Sequence, residues 1–193
     1  MYVHPVHHAG YYPGAKTIHM KRLLCEPDGL VLGAQAVGEE GVDRRIDVIA
    51  MAIESGATVF DLEEVGLCYA LQYGSARDAV NLAGMAAANV VRGDVGLAAW
   101  SEMGPVRPFL LDVREVDEVS EDPIVGAVNI PLGQLQGRLN ELPREREILV
   151  TCRAGRRSYY ACRILAQQGF RARNLSGGHR TYEALCAGER AQV

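Results

Sequence analysis

The stretch Ile148-Leu149-Val150-Thr151-Cys152-Arg153-Ala154-Gly155-Arg156-Arg157-Ser158-Tyr159-Tyr160 decides how this chain is read. A short apolar, β-branched run ends at a cysteine. Five residues follow, with a glycine at their centre and three arginines, and then a helical pattern through Ala161, Cys162, Ile164 and Leu165. The pattern predicts strand, tight loop and helix. The loop then sits at a helix N-terminus, where unpaired N–H groups and the positive end of the helix dipole face outward. That setting favours the thiolate, the reactive form of cysteine. The same N–H groups can cradle an anion, and the arginines add fixed charge and fork-shaped donors. A cysteine closing an apolar strand is more often a small buried hydrophobe. Arg153, Arg156 and Arg157 are poor company for a core cysteine, however, and Gly155 lets the backbone curl around the sulfur. The stretch therefore points to Cys152 as a nucleophile acting on anionic substrates.

The elements around this loop alternate. Residues 109–114 read as an apolar strand ending in charge, and 126–131 as a second short strand. Leu132, Leu135, Leu139 and Leu142 step at helical spacing up to Pro143. Downstream, residues 157–168 read as helix, 172–175 as strand, Gly177-Gly178 as a tight turn and 181–186 as a last helix. Alternating strands and helices predict a parallel sheet with helices on its faces. Ligands bind at the C-terminal ends of such strands, which is where Cys152 falls. Residues 96–108, with Gly96, Gly104, Pro105 and Pro108, read as a linker.

The first half reads differently. Residues 16–25 and 30–37 form two expected strands around the turn signal Glu26-Pro27-Asp28-Gly29. Asp43 is the expected cap of a helix carrying Ile46, Ile49, Ala50 and Ile53, ended by Gly56. A short helical piece is expected over 61–66, and a longer helix opens at Ser75 or Asp78 and stops at Gly93. The small residues Met85-Ala86-Ala87-Ala88 suit close helix packing within the subunit.

Composition bounds the possibilities. The chain has 193 residues, 48% hydrophobic and 23% charged, with a formal net charge of −4. This balance gives no sign of nucleic-acid or membrane binding, and no apolar run approaches the ~20 residues of a membrane span. The five cysteines, Cys25, Cys68, Cys152, Cys162 and Cys186, are odd in number and include no Cys-x-x-Cys pair. A disulfide framework or zinc site is not expected, and a cytoplasmic setting is. The opening residues lack a signal peptide's basic and apolar regions. His4, His7 and His8 could ligate zinc or copper, but no fourth ligand is spaced to join them, so no metal is expected.

Over residues 100–190 the chain resembles the rhodanese family of sulfurtransferases. Asp112-Val113-Arg114-Glu115 is similar to its Asp-x-Arg motif. Gly126-Ala127-Val128-Asn129-Ile130-Pro131 is similar to its central motif, although Pro123 stands where a histidine is common. Residues 152–158 are similar to its active loop, and Asn174-Leu175-Ser176-Gly177-Gly178 to its closing glycine motif, with Tyr182 near a usual tryptophan. The resemblance implies Cys152 as the catalytic nucleophile. It implies the loop amides of Arg153, Ala154, Gly155, Arg156 and Arg157 as the substrate cradle, and Asp112 and Arg114 as structural support beneath it.

Over residues 4–93 the chain resembles the dimerisation domain of flavin-dependent pyridine nucleotide–disulfide reductases, nearest the coenzyme A-disulfide reductase and NADH oxidase group. His7-His8-Ala9-Gly10-Tyr11-Tyr12-Pro13-Gly14-Ala15 is similar to the domain's opening. Residues 68–81 are similar to its closing motif, with Leu71 and Gln72 where two prolines are usual. The resemblance implies a homodimer, with Tyr12 and Tyr73 reaching toward the partner's site. The Gly-x-Gly-x-x-Gly loops for FAD and NADH are missing, and so is the family's redox cysteine. The chain thus resembles the C-terminal part of such an enzyme. FAD, NADH and coenzyme A are expected only for a full-length relative, with no cofactor here and no NADH-driven reduction.

The expected organisation is an α+β dimerisation domain (residues 1–95), a linker (96–108) and an α/β rhodanese-like domain with a parallel sheet (109–193). The expected function is movement of sulfane sulfur from thiosulfate or a persulfide, such as coenzyme A persulfide, through a Cys152 persulfide to a thiol acceptor. Two alternatives stand beside it. One is a non-catalytic dimerisation or sulfur-delivery fragment of a flavin disulfide reductase. The other is a cysteine phosphatase or arsenate reductase, whose loop has its arginine six residues after the cysteine; Ser158 holds that place here and Arg157 comes one residue early.

Overall fold

The computed structural model describes residues 1–24, 28–103 and 108–190. Two compact units divide the chain, Met1–Asp94 and Val95–Val193.

In the first unit β1 (Tyr2–Val3), β2 (His19–Leu24) and β3 (Val31–Val37) form an antiparallel sheet in that order. The register His19↔Val37 makes β2 and β3 the expected hairpin, although Cys25, Glu26 and Pro27 of its turn lie outside the described residues. Three helices follow, α1 (Val42–Glu54), α2 (Val59–Glu64) and α3 (Ala79–Val91). Asp43 does not cap α1. It lies in the first turn, and the cap position belongs to Gly41 in a left-handed conformation. A side chain there would run into the Arg45 guanidinium, which is buried and grips Asp78 at 2.6 and 3.1 Å. Asp78 in turn caps α3, reciprocated by Asn81, and Thr58 caps α2 through a box with Asp61. The small residues of α3 pack within the unit. A Cβ added at Gly84 would lie 2.7 Å from the Leu62 carbonyl carbon on α2. Ile18, Met20, Ile49, Val59, Leu62, Val80 and Ala87 make the core of this unit.

The second unit runs β4 (Gly96–Ala98), a 3-10 turn (Trp100–Glu102), β5 (Phe109–Asp112), α4 (Val116–Glu121), β6 (Val128–Asn129), a 3-10 stretch (Leu132–Glu141), β7 (Ile148–Thr151), α5 (Arg156–Gln167), β8 (Ala172–Leu175) and α6 (Gly178–Arg190). The five strands lie in the order β4-β8-β7-β5-β6, and every pairing is parallel. All four residues of the central strand β7 are buried, as the continuous apolar run requires of a strand covered on both faces.

Two sequence expectations change here, and one helix that the sequence left unread is added. The stretch 96–108 is not simply a linker, because Gly96–Ala98 joins the sheet beside β8 and Trp100 Nε1–H donates to the Gly178 carbonyl at 3.1 Å. Gly104, Pro105, Val106 and Arg107, the rest of that linker reading, lie outside the described residues apart from Pro108. The leucine run 132–142 forms 3-10 turns broken at Arg138 rather than an α-helix. α4 has no buried residue and so left no apolar periodicity to read. Among the described residues, no helix is long and apolar enough to cross a membrane.

Candidate active site

β7 delivers Cys152 to the C-terminal end of the sheet, and the chain turns at once into α5. The turn requires Gly155, which caps α5 with φ +96°. A left-handed residue at this place folds the loop back so that its amides face inward. The Gly155 N–H donates to Cys152 Sγ at 3.2 Å, and the Ser158 hydroxyl lies 3.3 Å from the same sulfur. Arg156, Arg157 and Ser158 are the first three residues of α5, whose N–H groups have no acceptor within the helix. Cys152 is only 1% exposed, so its sulfur forms the floor of the loop and admits only a small reacting atom. Arg153 and Arg156 are exposed at the rim.

The loop is braced from below by α6. His179 N–H donates to the Cys152 carbonyl at 2.8 Å and Arg180 N–H to the Arg153 carbonyl at 3.0 Å. This close approach needs Gly178, whose added Cβ would collide with the Cys152 carbonyl and lie 2.9 Å from the Gly155 nitrogen. Asn174 on β8 closes the bracing. Its Nδ2 donates to the Gly155 carbonyl at 3.0 Å, and its Oδ1 lies 2.7 Å from Ser158 Oγ.

Asp112 and Arg114 sit at the end of the neighbouring strand, both 0% exposed. Arg114 Nε and Nη2 donate to Asp112 Oδ2 at 2.9 and 2.7 Å. Nη2 also donates to the Asp122 carbonyl at 2.9 Å. Asn129 Nδ2 holds the carbonyls of both residues at 2.9 Å. Such a pair is tolerated in the interior only when its remaining polar groups are also satisfied. Through Asn129 the ends of β5 and β6 are tied together at this pair.

The Arg157 side chain pairs within the fold. Its two terminal nitrogens fork onto Glu118 of α4 at 2.5 and 2.7 Å. Arg157 thereby holds the Glu118 carboxyl down at about 2, and Glu118 holds the guanidinium up in return.

The other cysteines offer no comparable setting. Cys162 is buried on α5, where burial pushes its thiol up to about 12. Cys68 is exposed and Cys186 half-buried, and Cys25 lies outside the described residues. In the first unit Tyr12 and Tyr73 are 40% and 64% exposed. His7 and His8 lie side by side with ring centroids 4.0 Å apart, but His4 is turned to His19 instead. His4 faces His19 at 3.0 Å, His7 Nδ1 accepts from the Lys16 N–H at 2.9 Å, and His8 Nδ1 lies 3.0 Å from the Ala9 carbonyl oxygen.

Sequence reading missed Glu118, Asn174 and His179 as neighbours of the loop. Asn174 opens the motif that ends in Gly177-Gly178 and His179 directly follows it, and a closing glycine motif in a chain with a candidate nucleophile loop was a signal to examine them. Glu118 gave none, since its helix buries no residue and its partner is distant in sequence.

Residues 95–185 match the family model for the rhodanese-like domain, and residues 1–69 match that for the pyridine nucleotide-disulphide oxidoreductase dimerisation domain. Coenzyme A disulfide reductase of Staphylococcus epidermidis is 43% identical over 77 residues, which are 40% of this chain and 18% of that protein. The structure of reduced Bacillus anthracis CoADR-RHD is 41% identical with a TM-score of 0.90, covering 94% of this chain and 33% of its own. A NAD-dependent persulfide reductase from A. fulgidus is 35% identical with a TM-score of 0.85, covering 93% and 33%. The chain spans less than a fifth of the curated relative and a third of each solved chain.

Proposed function

From a chain that joins a pyridine nucleotide-disulphide oxidoreductase dimerisation domain to a rhodanese-like domain, we propose a sulfurtransferase working through Cys152. The Cys152 thiolate attacks the outer sulfur of thiosulfate or of a persulfide. The S–S bond of the donor breaks, its electron pair leaves with sulfite or thiolate, and the outer sulfur stays on Cys152 as a persulfide. An acceptor thiolate then attacks that terminal sulfur and returns Cys152 to the thiolate. Each step exchanges one sulfur–sulfur or sulfur–thiol partner, so the transfer balances without any outside oxidant or reductant.

The observation that carries this reading is the floor of the loop. One backbone N–H and one hydroxyl converge on Sγ at 3.2 and 3.3 Å. They stabilise charge on the sulfur as it shifts between attacking and carrying. Arg153 and Arg156, exposed at the rim, supply long-range attraction for an anionic donor such as thiosulfate or the phosphates of coenzyme A persulfide. The phosphatase alternative loses ground at the same place. The residue at its arginine spacing is Ser158, turned onto the sulfur, while Arg157 is drawn aside by Glu118.

The first unit supplies a homodimer in this reading, with Tyr12 and Tyr73 reaching toward the partner's site. The dimer is tested by light scattering at micromolar concentration. The transfer is tested by incubating the protein with thiosulfate and with coenzyme A persulfide and mapping sulfur adducts by mass spectrometry. A one-sulfur adduct on Cys152, absent in Cys152→Ser, is expected. Hydrolysis of aryl phosphates with no adduct from any sulfur donor overturns the reading.

A further inference from the structure

A second cluster, apart from the sulfur loop, carries ligand chemistry of its own. His179 is 0% exposed and is held in place by its backbone N–H on the Cys152 carbonyl. Its Nε2 faces Asp122 Oδ2 at 3.5 Å and its Nδ1 faces Glu183 Oε1 at 3.3 Å. Neither ring nitrogen makes a hydrogen bond among the described residues. A neutral imidazole has one N–H and one lone pair. With a carboxylate oxygen opposite each nitrogen, one of the two contacts sets a lone pair against an anion. A cation on that nitrogen, with both partly exposed carboxylates swung onto it, removes the conflict.

We propose that Asp122, His179 and Glu183 bind one divalent transition-metal cation. One ligand atom from each residue lies within 4.8 Å of the others. It is the one such grouping of histidine, cysteine and carboxylate among the described residues. Metal–ligand distances of ~2.0–2.2 Å for imidazole and carboxylate ligands require these atoms to draw in by roughly an ångström. The two carboxylate side chains are 50% and 42% exposed and can swing that far, whereas the buried imidazole supplies a fixed anchor. Two carboxylates offset the dication, and solvent completes the shell. A nitrogen ligand with two carboxylates suits Zn²⁺, Co²⁺ or Mn²⁺ better than the all-oxygen preference of Ca²⁺ or Mg²⁺.

The place of this site gives it a consequence for the loop. Asp122 caps the C-terminal end of α4, the helix whose Glu118 holds Arg157. His179 and Glu183 belong to the first two turns of α6, which braces Cys152 and Arg153. A bound cation would tie the two supports of the loop to each other.

Cobalt is the probe, because any Co²⁺ taken by a cysteine thiolate shows an intense near-ultraviolet charge-transfer band that a nitrogen and oxygen site lacks. Titration of the full chain with Co²⁺, followed by calorimetry and absorption, should show one equivalent bound without that band. His179→Gln should weaken this binding at least tenfold, and a double His4→Gln, His19→Gln variant should leave it unchanged. Should His179→Gln fail to fold, Asp122→Asn and Glu183→Gln alter only partly exposed side chains and should each weaken binding at least tenfold. No band-free binding, binding that survives these variants, or binding lost instead in the His4, His19 double variant overturns the proposal.

Discussion

Replacing Ser158 by alanine separates what the loop does for the sulfur from what it does for the fold. The hydroxyl is fully buried and has one proton for three acceptors, Asn174 Oδ1 at 2.7 Å, Gly155 O at 3.1 Å and Cys152 Sγ at 3.3 Å. With a neutral thiol the shortest contact takes the proton, and the bond is worth about 1 kcal/mol of stability. With an anionic sulfur the proton turns to Sγ, and a hydrogen bond to a charged group is worth ~1.5–3 kcal/mol. At 1.36 kcal/mol per tenfold, Ser158→Ala should slow reaction of Cys152 by about ten- to hundredfold at fixed pH while the denaturation free energy falls by only ~1 kcal/mol. The assay is the rate of iodoacetamide labelling at Cys152, followed by peptide mapping, beside urea denaturation of the same samples. Exposed Cys68 serves as the internal control for reagent access. A labelling rate within twofold of the parent, with Cys68 unchanged, would refute the assignment of Ser158 to the reacting sulfur.

Three further outcomes follow from the packing. The Glu118 carboxyl is held at about 2 by Arg157, below its ordinary value, so the pair's contribution to stability is complete above about pH 4.5 and is lost as pH falls through about 2; denaturation curves of the parent and Glu118→Gln should differ at pH 6 and converge near pH 2. Arg114→Met leaves Asp112 buried and unpaired and should cost about 3–5 kcal/mol by urea denaturation, a loss that an Asp112→Asn change in the same protein should partly restore. Gly84→Ala drives a methyl group against the Leu62 and Glu63 backbone and should destabilise the first unit by about 1–3 kcal/mol, seen as a lowered thermal midpoint.

Much of the second unit was legible because its strands announce themselves. Ile148 to Val150 is apolar throughout since every residue of β7 is buried, and Gly155 marks the positive-φ turn that opens the loop onto α5. β4 was illegible for the converse reason. A three-residue strand of Gly96, Leu97 and Ala98 shows no alternation, and the nearby glycines and prolines read as linker. The Asp112–Arg114 pair was visible as an acid and a base two residues apart where β5 ends. The Arg157–Glu118 fork was not, because 39 residues separate its partners and only the fold brings them together. Asp43 was misread because α1 is opened by a glycine bent around Arg45, a demand of the buried guanidinium that local capping propensity does not contain.

The sheet order carries a consequence for how the chain comes off the ribosome. β4 is made first in its unit yet pairs only with β8, the last strand. The amides that hold the Cys152 and Arg153 carbonyls come later still, from residues 179 and 180. During synthesis Cys152 therefore emerges without its cage, as an ordinary thiol in an unfinished chain. Long-range pairing of this kind closes slowly and late, so the hydrogen bonds around the sulfur are complete only when nearly the whole unit has been made. The reactivity proposed for Cys152 would therefore be deferred until the fold that surrounds it is in place.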